Sequence, residues 1–164
     1  MHIKPGWALK YGLHQGLELE RSYPATGPKP QQCHYDKKCV AITFDSIGGA
    51  FGPSKKGAAN ETALAEALLK SPMQVLLQVG TAFQRYTHGV LKDCGKGGSL
   101  SVEVVGYDTD KDGHAYWTVK APWGKNFGVD GFVQIAKDHG NACGIASEWA
   151  YPMGVKYTPP PPTC

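Results

Sequence analysis

Side chains able to do covalent, acid–base or metal chemistry are few and widely spread in this chain. Its 164 residues include five cysteines, Cys33, Cys39, Cys94, Cys143 and Cys164, and six histidines. A thiol can serve as nucleophile, metal ligand or half of a disulfide, and spacing separates these uses. No Cys-x-x-Cys occurs, and cysteine and histidine nowhere alternate as they do around zinc, so neither a metal nor another cofactor is expected. Disulfides formed in an oxidising compartment are the better reading, with the odd cysteine left free or joined to another chain. One acidic run, Asp108-Thr109-Asp110-Lys111-Asp112-Gly113, matches the first half of an EF-hand loop, with alternate carboxylates and a turning glycine. Its twelfth position is Val119 instead of the bidentate glutamate, and its flanks read as strands. A polar hairpin turn is therefore expected, with Asp108, Asp110 and Asp112 a weak calcium candidate.

Composition bounds the rest. Hydrophobic residues make up 41% and charged residues 19%, which excludes wholesale disorder. No apolar run approaches the roughly 18 residues of a membrane span, and Met1–Gly6 lacks the apolar segment of a secretory signal. With disulfides expected, that start implies a mature fragment or a shortened chain. The net charge of +3 is spread over scattered lysines, a bias too weak for nucleic acid or an anionic membrane. Lys37-Lys38 and Lys55-Lys56 read as solvated loop charges.

The elements that must position these groups follow from periodicity and punctuation. Trp7–Leu13 reads as a short amphipathic turn or two ended by Gly12, and 22–30 as turns. Val40–Phe44 is a strand by its β-branched and aromatic content. Glycines 48, 49, 52 and 57 with Pro53 mark a loop and the best candidate for a subdomain boundary. A helix is predicted over 61–70, N-capped by Asn60, with Leu64, Ala67 and Leu68 on one face, and Ser71-Pro72 stops it. Met73–Val79 reads as a strand buried on most sides. Leu100–Tyr107 and Ala115–Lys120 form a hairpin, and Gly131–Ala136 is a further strand. Pro159–Pro162 is a polyproline spacer outside the core. A helix followed by several antiparallel strands gives an α+β domain whose sheet curls towards a barrel.

Three segments carry more than propensity. Tyr116-Trp117-Thr118-Val119-Lys120-Ala121-Pro122-Trp123-Gly124 precedes Phe127-Gly128-Val129-Asp130-Gly131-Phe132. Gly140-Asn141-Ala142-Cys143-Gly144-Ile145-Ala146 and Ala150-Tyr151-Pro152 follow. Upstream lie Glu20-Arg21-Ser22-Tyr23-Pro24, Phe83-Gln84-Arg85-Tyr86, Gly89-Val90 and Cys94-Gly95. In this order the segments resemble the C-terminal half of papain-like cysteine peptidases of the cathepsin L type, over roughly Trp7 to Pro152. The resemblance implies two lobes, one helical and one a β-barrel, with a peptide cleft between them. On it, residues 1–51 are a remnant of the helical left lobe and the interlobe segment. Residues 52–158 are the right, β-barrel lobe, and 159–164 a proline-rich tail. Most of the left lobe, with the segment bearing the nucleophilic cysteine, is then missing.

Papain-like catalysis needs a thiolate, an imidazole and an amide that orients the imidazole. The family's histidine precedes a Val-Val-Gly-Tyr run, here Val104-Val105-Gly106-Tyr107, which sets Leu100 at the histidine position. The orienting asparagine falls at Ala121, beside Pro122. No catalytic residue is therefore expected, since neither side chain can move a proton or hold an imidazole. His114 lies in the hairpin turn at the wrong end of its strand, and His88 lies on the primed side at best. The resemblance sets Gln84, Leu100, Trp123 and Phe127 on the cleft wall, and it pairs Cys94 with Cys143. Closing that loop of about 50 residues stabilises by roughly 4 kcal/mol. Cys33 matches a cysteine whose partner lies in the missing lobe, so Cys33–Cys39 is the expected replacement, leaving Cys164 free for another chain.

The expectation is a catalytically inactive homologue kept for binding, structure or assembly, in the secretory pathway, outside the cell or in a lysosome- or vacuole-like compartment. It would bind a protein partner or itself through the exposed interlobe face. The alternatives are a subunit of an active peptidase with catalytic groups supplied elsewhere, and a storage or protease-inhibitory protein.

Overall fold

The computed structural model describes residues 5–24, 27, 32–50 and 59–164. Helix α1 (Pro5–Gln15) opens the chain and runs past Gly12, the expected stop. Gly12 instead lies against the Phe44 ring, and Gly16, at φ +75°, ends the helix where a side chain would collide with Val40. Strand β1 (Leu17–Glu18) then pairs with β2 (Val40–Thr43), which Asp36 introduces by capping a 3-10 turn at Lys37–Cys39. The exposed Lys37 and Lys38 belong to that turn.

Strand β3 (Ser46–Ala50) contains Gly48 and Gly49, which the sequence places in a loop. It pairs antiparallel with β9 (Trp149–Met153). A side chain at Gly48 would meet the Tyr151 ring, and one at Gly49 the Trp149 carbonyl, so glycine here lets two strands close up. Gly52, Pro53, Gly57 and Lys55-Lys56, and with them the boundary expected near 51, lie outside the described residues, as do most of 22–30 and Met1–Lys4.

Helix α2 (Glu61–Leu68) begins as expected: Asn60 is extended and its Oδ1 accepts the Ala63 amide at 2.9 Å. Leu64 and Ala67 are buried, and Leu68 packs on the same core. Strand β4 (Met73–Val79) alternates buried and half-buried positions, so it is covered fully on one face only. After α3 (Thr81–Gln84) and β5 (Val90–Leu91) comes the hairpin of β6 (Gly98–Thr109) and β7 (Ala115–Lys120). Its register slips between Val104 and Gly106, leaving Val105 unpaired as a bulge. Strand β8 (Phe132–Ala136) completes a seven-stranded sheet in the order β3-β9-β4-β6-β7-β8-β5, antiparallel except for β5 with β8. The fold is α+β, with one large sheet and few helices. The core holds Val75, Leu77, Val104, Trp117, Val119, Val133 and Ile135, all fully buried.

The tail departs from expectation. Strand β10 (Lys156–Tyr157) pairs with β2, Pro160 is buried, and Cys164 bonds to Cys39 across 125 residues. The expected Cys33–Cys39 pair does not form: Cys33 is exposed and free, and Cys164 is not. The β2–β10 pairing brings the chain end beside the 3-10 turn holding Cys39, which overrides the short separation of Cys33 and Cys39. Cys94 pairs with Cys143, as the resemblance implies. Asn141 shapes the turn before Cys143, its amide donating to Ser147 Oγ and accepting from Ala146 N.

Candidate functional site

The strands decide what stands at the two positions where base and orienting amide were sought. Leu100 sits on β6 opposite Leu77 of β4, on the face shared with Val102 and Val104, and packs against the core. Ala121 follows directly on β7, is 6% exposed, and its amide donates to the Gly131 carbonyl at 2.9 Å. The β6–β7 register pairs Glu103 with Lys120, so the segments bearing Leu100 and Ala121 run side by side. They border a hollow of about 320 Å³ lined by Ser101, Val102, Lys120, Ala121 and Pro122 among others. Both side chains are hydrocarbon, so neither of them can accept or donate a proton.

Beside it stands an aromatic group. Trp123 meets Phe127 edge-on with ring centroids 4.6 Å apart, and fully buried Phe83 contacts both, at 5.7 and 6.0 Å. Trp123 remains 44% exposed, an indole fixed from behind and open in front. Of the four residues expected on a cleft wall, Trp123 and Phe127 are in contact and Leu100 packs on the same core. Gln84 is exposed on α3, and its neighbour Phe83 makes the aromatic contact instead.

The histidines and thiols are dispersed. His88 is exposed, with Nδ1 3.0 Å from Thr87 Oγ1. His114 faces Asp110 at 3.1 Å in the β6–β7 turn. Asp110 Oδ1 also accepts the amides of Asp112 and His114, at 2.9 and 2.8 Å. The His114 amide is the chief reason that the Asp110 carboxyl titrates below its ordinary value. Asp110, Asp112 and His114 draw together in the expected polar turn, whereas Asp108, the third residue of the weak calcium candidate, accepts its neighbouring Thr109 amide.

Two carboxylate and phenol anchors escaped the sequence reading. Glu61, the first residue of the predicted helix, accepts Trp117 Nε1 at 3.0 Å and the amides of Asp138 and Asn141 at 2.8 and 2.9 Å. Tyr86 donates to the Gly89 carbonyl at 2.7 Å and accepts the Gln134 amide at 3.2 Å, and burial raises its phenol pKa. No local pattern marks either one, because their partners lie 48 to 80 residues away for all but Gly89.

Comparison with known proteins gives this arrangement a context. Residues 4–153 match the papain family cysteine protease model. The chain is 39% identical to cathepsin S of Mus musculus over 142 residues, which are 84% of this chain and 39% of that protein. It is 41% identical to cysteine proteinase EP-B 1 of Hordeum vulgare over 107 residues, 62% of this chain and 29% of that one. Among solved structures, the proform of the ragweed pollen cysteine protease Amb a 11 superposes with a TM-score of 0.77 at 31% identity, covering 96% of this chain and 43% of that one. The chain thus spans less than half the length of each of these relatives. Among the described residues no helix is long and apolar enough to cross a membrane. The match over residues 4–153, nearly the whole chain, places this protein in the papain family of cysteine proteases.

Proposed function

We propose that this chain is a catalytically inactive papain-like homologue that serves as a binding, structural or assembly subunit. The observation that carries the reading is hydrocarbon at both triad positions its sequence spans, Leu100 for the imidazole and Ala121 for the orienting amide. Cys33 is the one free thiol, and among the described residues the hollow it borders is lined by tyrosines and Glu18 with no imidazole. A thiol without a base to deprotonate it is a weak nucleophile at neutral pH.

Binding is supported by apolar side chains left open on two sides. Trp7, Tyr11 and Leu17 are exposed around α1 and β1, and Trp123 and Val129 beside the aromatic group. We read residues 1–51 as the left-lobe and interlobe remnant and 52–158 as the right lobe, with the open interlobe face meeting a protein partner or a second copy. The two disulfides fit the secretory pathway, outside the cell or in a lysosome- or vacuole-like organelle.

The test pairs peptide hydrolysis, across the acid to neutral range, with light scattering of the eluted native protein. No turnover and a mass above the 17.6 kDa of the chain are expected. Turnover that disappears in Cys33→Ser would overturn the inactive reading, and a monodisperse monomer would overturn the assembly reading. Kinship with the papain family cysteine proteases supports one rival, a subunit of an active peptidase with catalytic groups supplied elsewhere. That rival requires turnover in the assembled complex and none in the isolated chain.

A further inference from the structure

We infer that the hollow between α1, β1 and the segment before the 3-10 turn binds an organic ammonium cation. This goes beyond the reading above and does not depend on whether the chain hydrolyses peptides. The hollow measures about 350 Å³, at the small end of the range of ligand pockets. Three tyrosines line it, Tyr11, Tyr23 and Tyr35, together with Leu17, Glu18 and Cys33. Two of the phenol hydroxyls are already engaged by the framework. Tyr35 Oη donates to the Gln15 carbonyl at 2.8 Å, and Tyr23 Oη accepts the His34 amide at 3.4 Å. The rings, more than the hydroxyls, are therefore what the hollow offers an occupant.

Charge selects among occupants. Among the described residues Glu18 is the only formally charged side chain of the lining, and its Oε1 is held by the Asp36 amide at 3.0 Å. Desolvation raises the Tyr11 phenol above its ordinary pKa, and Cys33, Tyr35, Tyr23 and Glu18 all push it the same way. An anion would meet the Glu18 carboxylate, and no lysine or arginine lines the hollow among the described residues. Aromatic faces attract a cation through their quadrupole, most strongly when the cation carries little water of its own. An alkylated ammonium head combines that weak hydration with apolar methyl groups that suit Leu17 and the rings. A carboxylate or phosphate would meet the opposite field.

Cys33, as the one free thiol, reports occupancy of the wall it stands on. The experiment measures the rate of Cys33 modification by neutral iodoacetamide, read by intact mass, in native protein with choline or with 3,3-dimethylbutan-1-ol. The two share a shape and differ in charge. Choline is expected to protect Cys33, with an apparent affinity about tenfold that of the neutral alcohol. Protection should survive Tyr11→Phe, fall in Tyr11→Leu and fall in Glu18→Gln. The N-methyl proton resonance of choline should move upfield on binding, which does not rely on the thiol. Repeating the titration with an acetylated, amidated trimethyl-lysine tells a protein side chain from a free metabolite as the source of the ammonium group. Equal protection by alcohol and choline, or none by either, would overturn the inference. So would protection unchanged in Tyr11→Leu, since the ammonium would then sit elsewhere.

Discussion

Replacing Glu61 removes the acceptor of three N–H groups at once, and each has a different environment. Trp117 is fully buried, so its indole N–H would be left in the core with no water to replace the carboxylate. An orphaned buried donor of this kind costs roughly 1–3 kcal/mol. The Asp138 and Asn141 amides lie nearer the surface, where water can take over, and each loses about 0.5–1.5 kcal/mol. Glu61→Ala should therefore cost about 2–6 kcal/mol, a large share of a typical domain stability of about 5–15 kcal/mol. Glu61→Gln keeps one carbonyl oxygen and should cost about half as much. Urea unfolding followed by tryptophan fluorescence, with disulfides intact, gives these values. A double-mutant cycle with Trp117→Phe isolates the buried bond and should return a coupling of about 1 kcal/mol or more. The exposed Glu66, on the same helix, is the control: Glu66→Gln should stay within about 0.5 kcal/mol. If Glu61→Ala costs under about 1 kcal/mol, or the coupling is nil, the carboxylate is not the anchor that its geometry indicates.

Two more outcomes follow from the same structure. Native protein should weigh four hydrogens less than the reduced chain and expose one alkylatable thiol, Cys33. Cys164→Ser should expose a second, Cys39, and lower stability by up to about 5 kcal/mol on the loop-entropy estimate for a 125-residue separation; no second alkylatable thiol in the variant would contradict the pairing. The Asp110 carboxyl should titrate by NMR below its ordinary 3.8, chiefly because the His114 amide holds the charged form. A lowered folded pKa means that this contribution is present above the unfolded value and is lost as pH falls through the folded one. His114→Ala keeps the amide, so the value should return only part of the way; a full return would show that the imidazole alone sets it.

What the sequence reveals depends on how far apart the cooperating groups lie. The Asn60 cap and the β6–β7 hairpin are local, and their residues state them openly. Gly48 and Gly49 mislead because glycine is a poor strand former on its own. Its value in β3 is set by the Tyr151 ring and Trp149 carbonyl of a strand about a hundred residues later. The disulfide of Cys39 misleads for a related reason. Loop entropy favours Cys33, but strand pairing between β2 and β10 decides in favour of Cys164. At the candidate site, motif register picks out Leu100 and Ala121, yet the buried Phe83 behind Trp123 and Phe127 emerges only from packing. The tyrosine hollow gathers residues from four segments, none of which is distinctive alone.

The sheet order also sets a timetable for synthesis. β3 takes its place only against β9, β4 gains its second neighbour from Ala150 and Trp149, and β2 waits for Lys156 and Tyr157. As the chain leaves the ribosome, the hairpin of β6 and β7 and its neighbours β4 and β8 can assemble early. Among the described residues, β1 and β2 have only each other until β10 has emerged, and β3 has no strand partner until β9 has. Throughout that interval the edge of β4 that Trp149 and Ala150 later cover stands open as a template for wrong pairing.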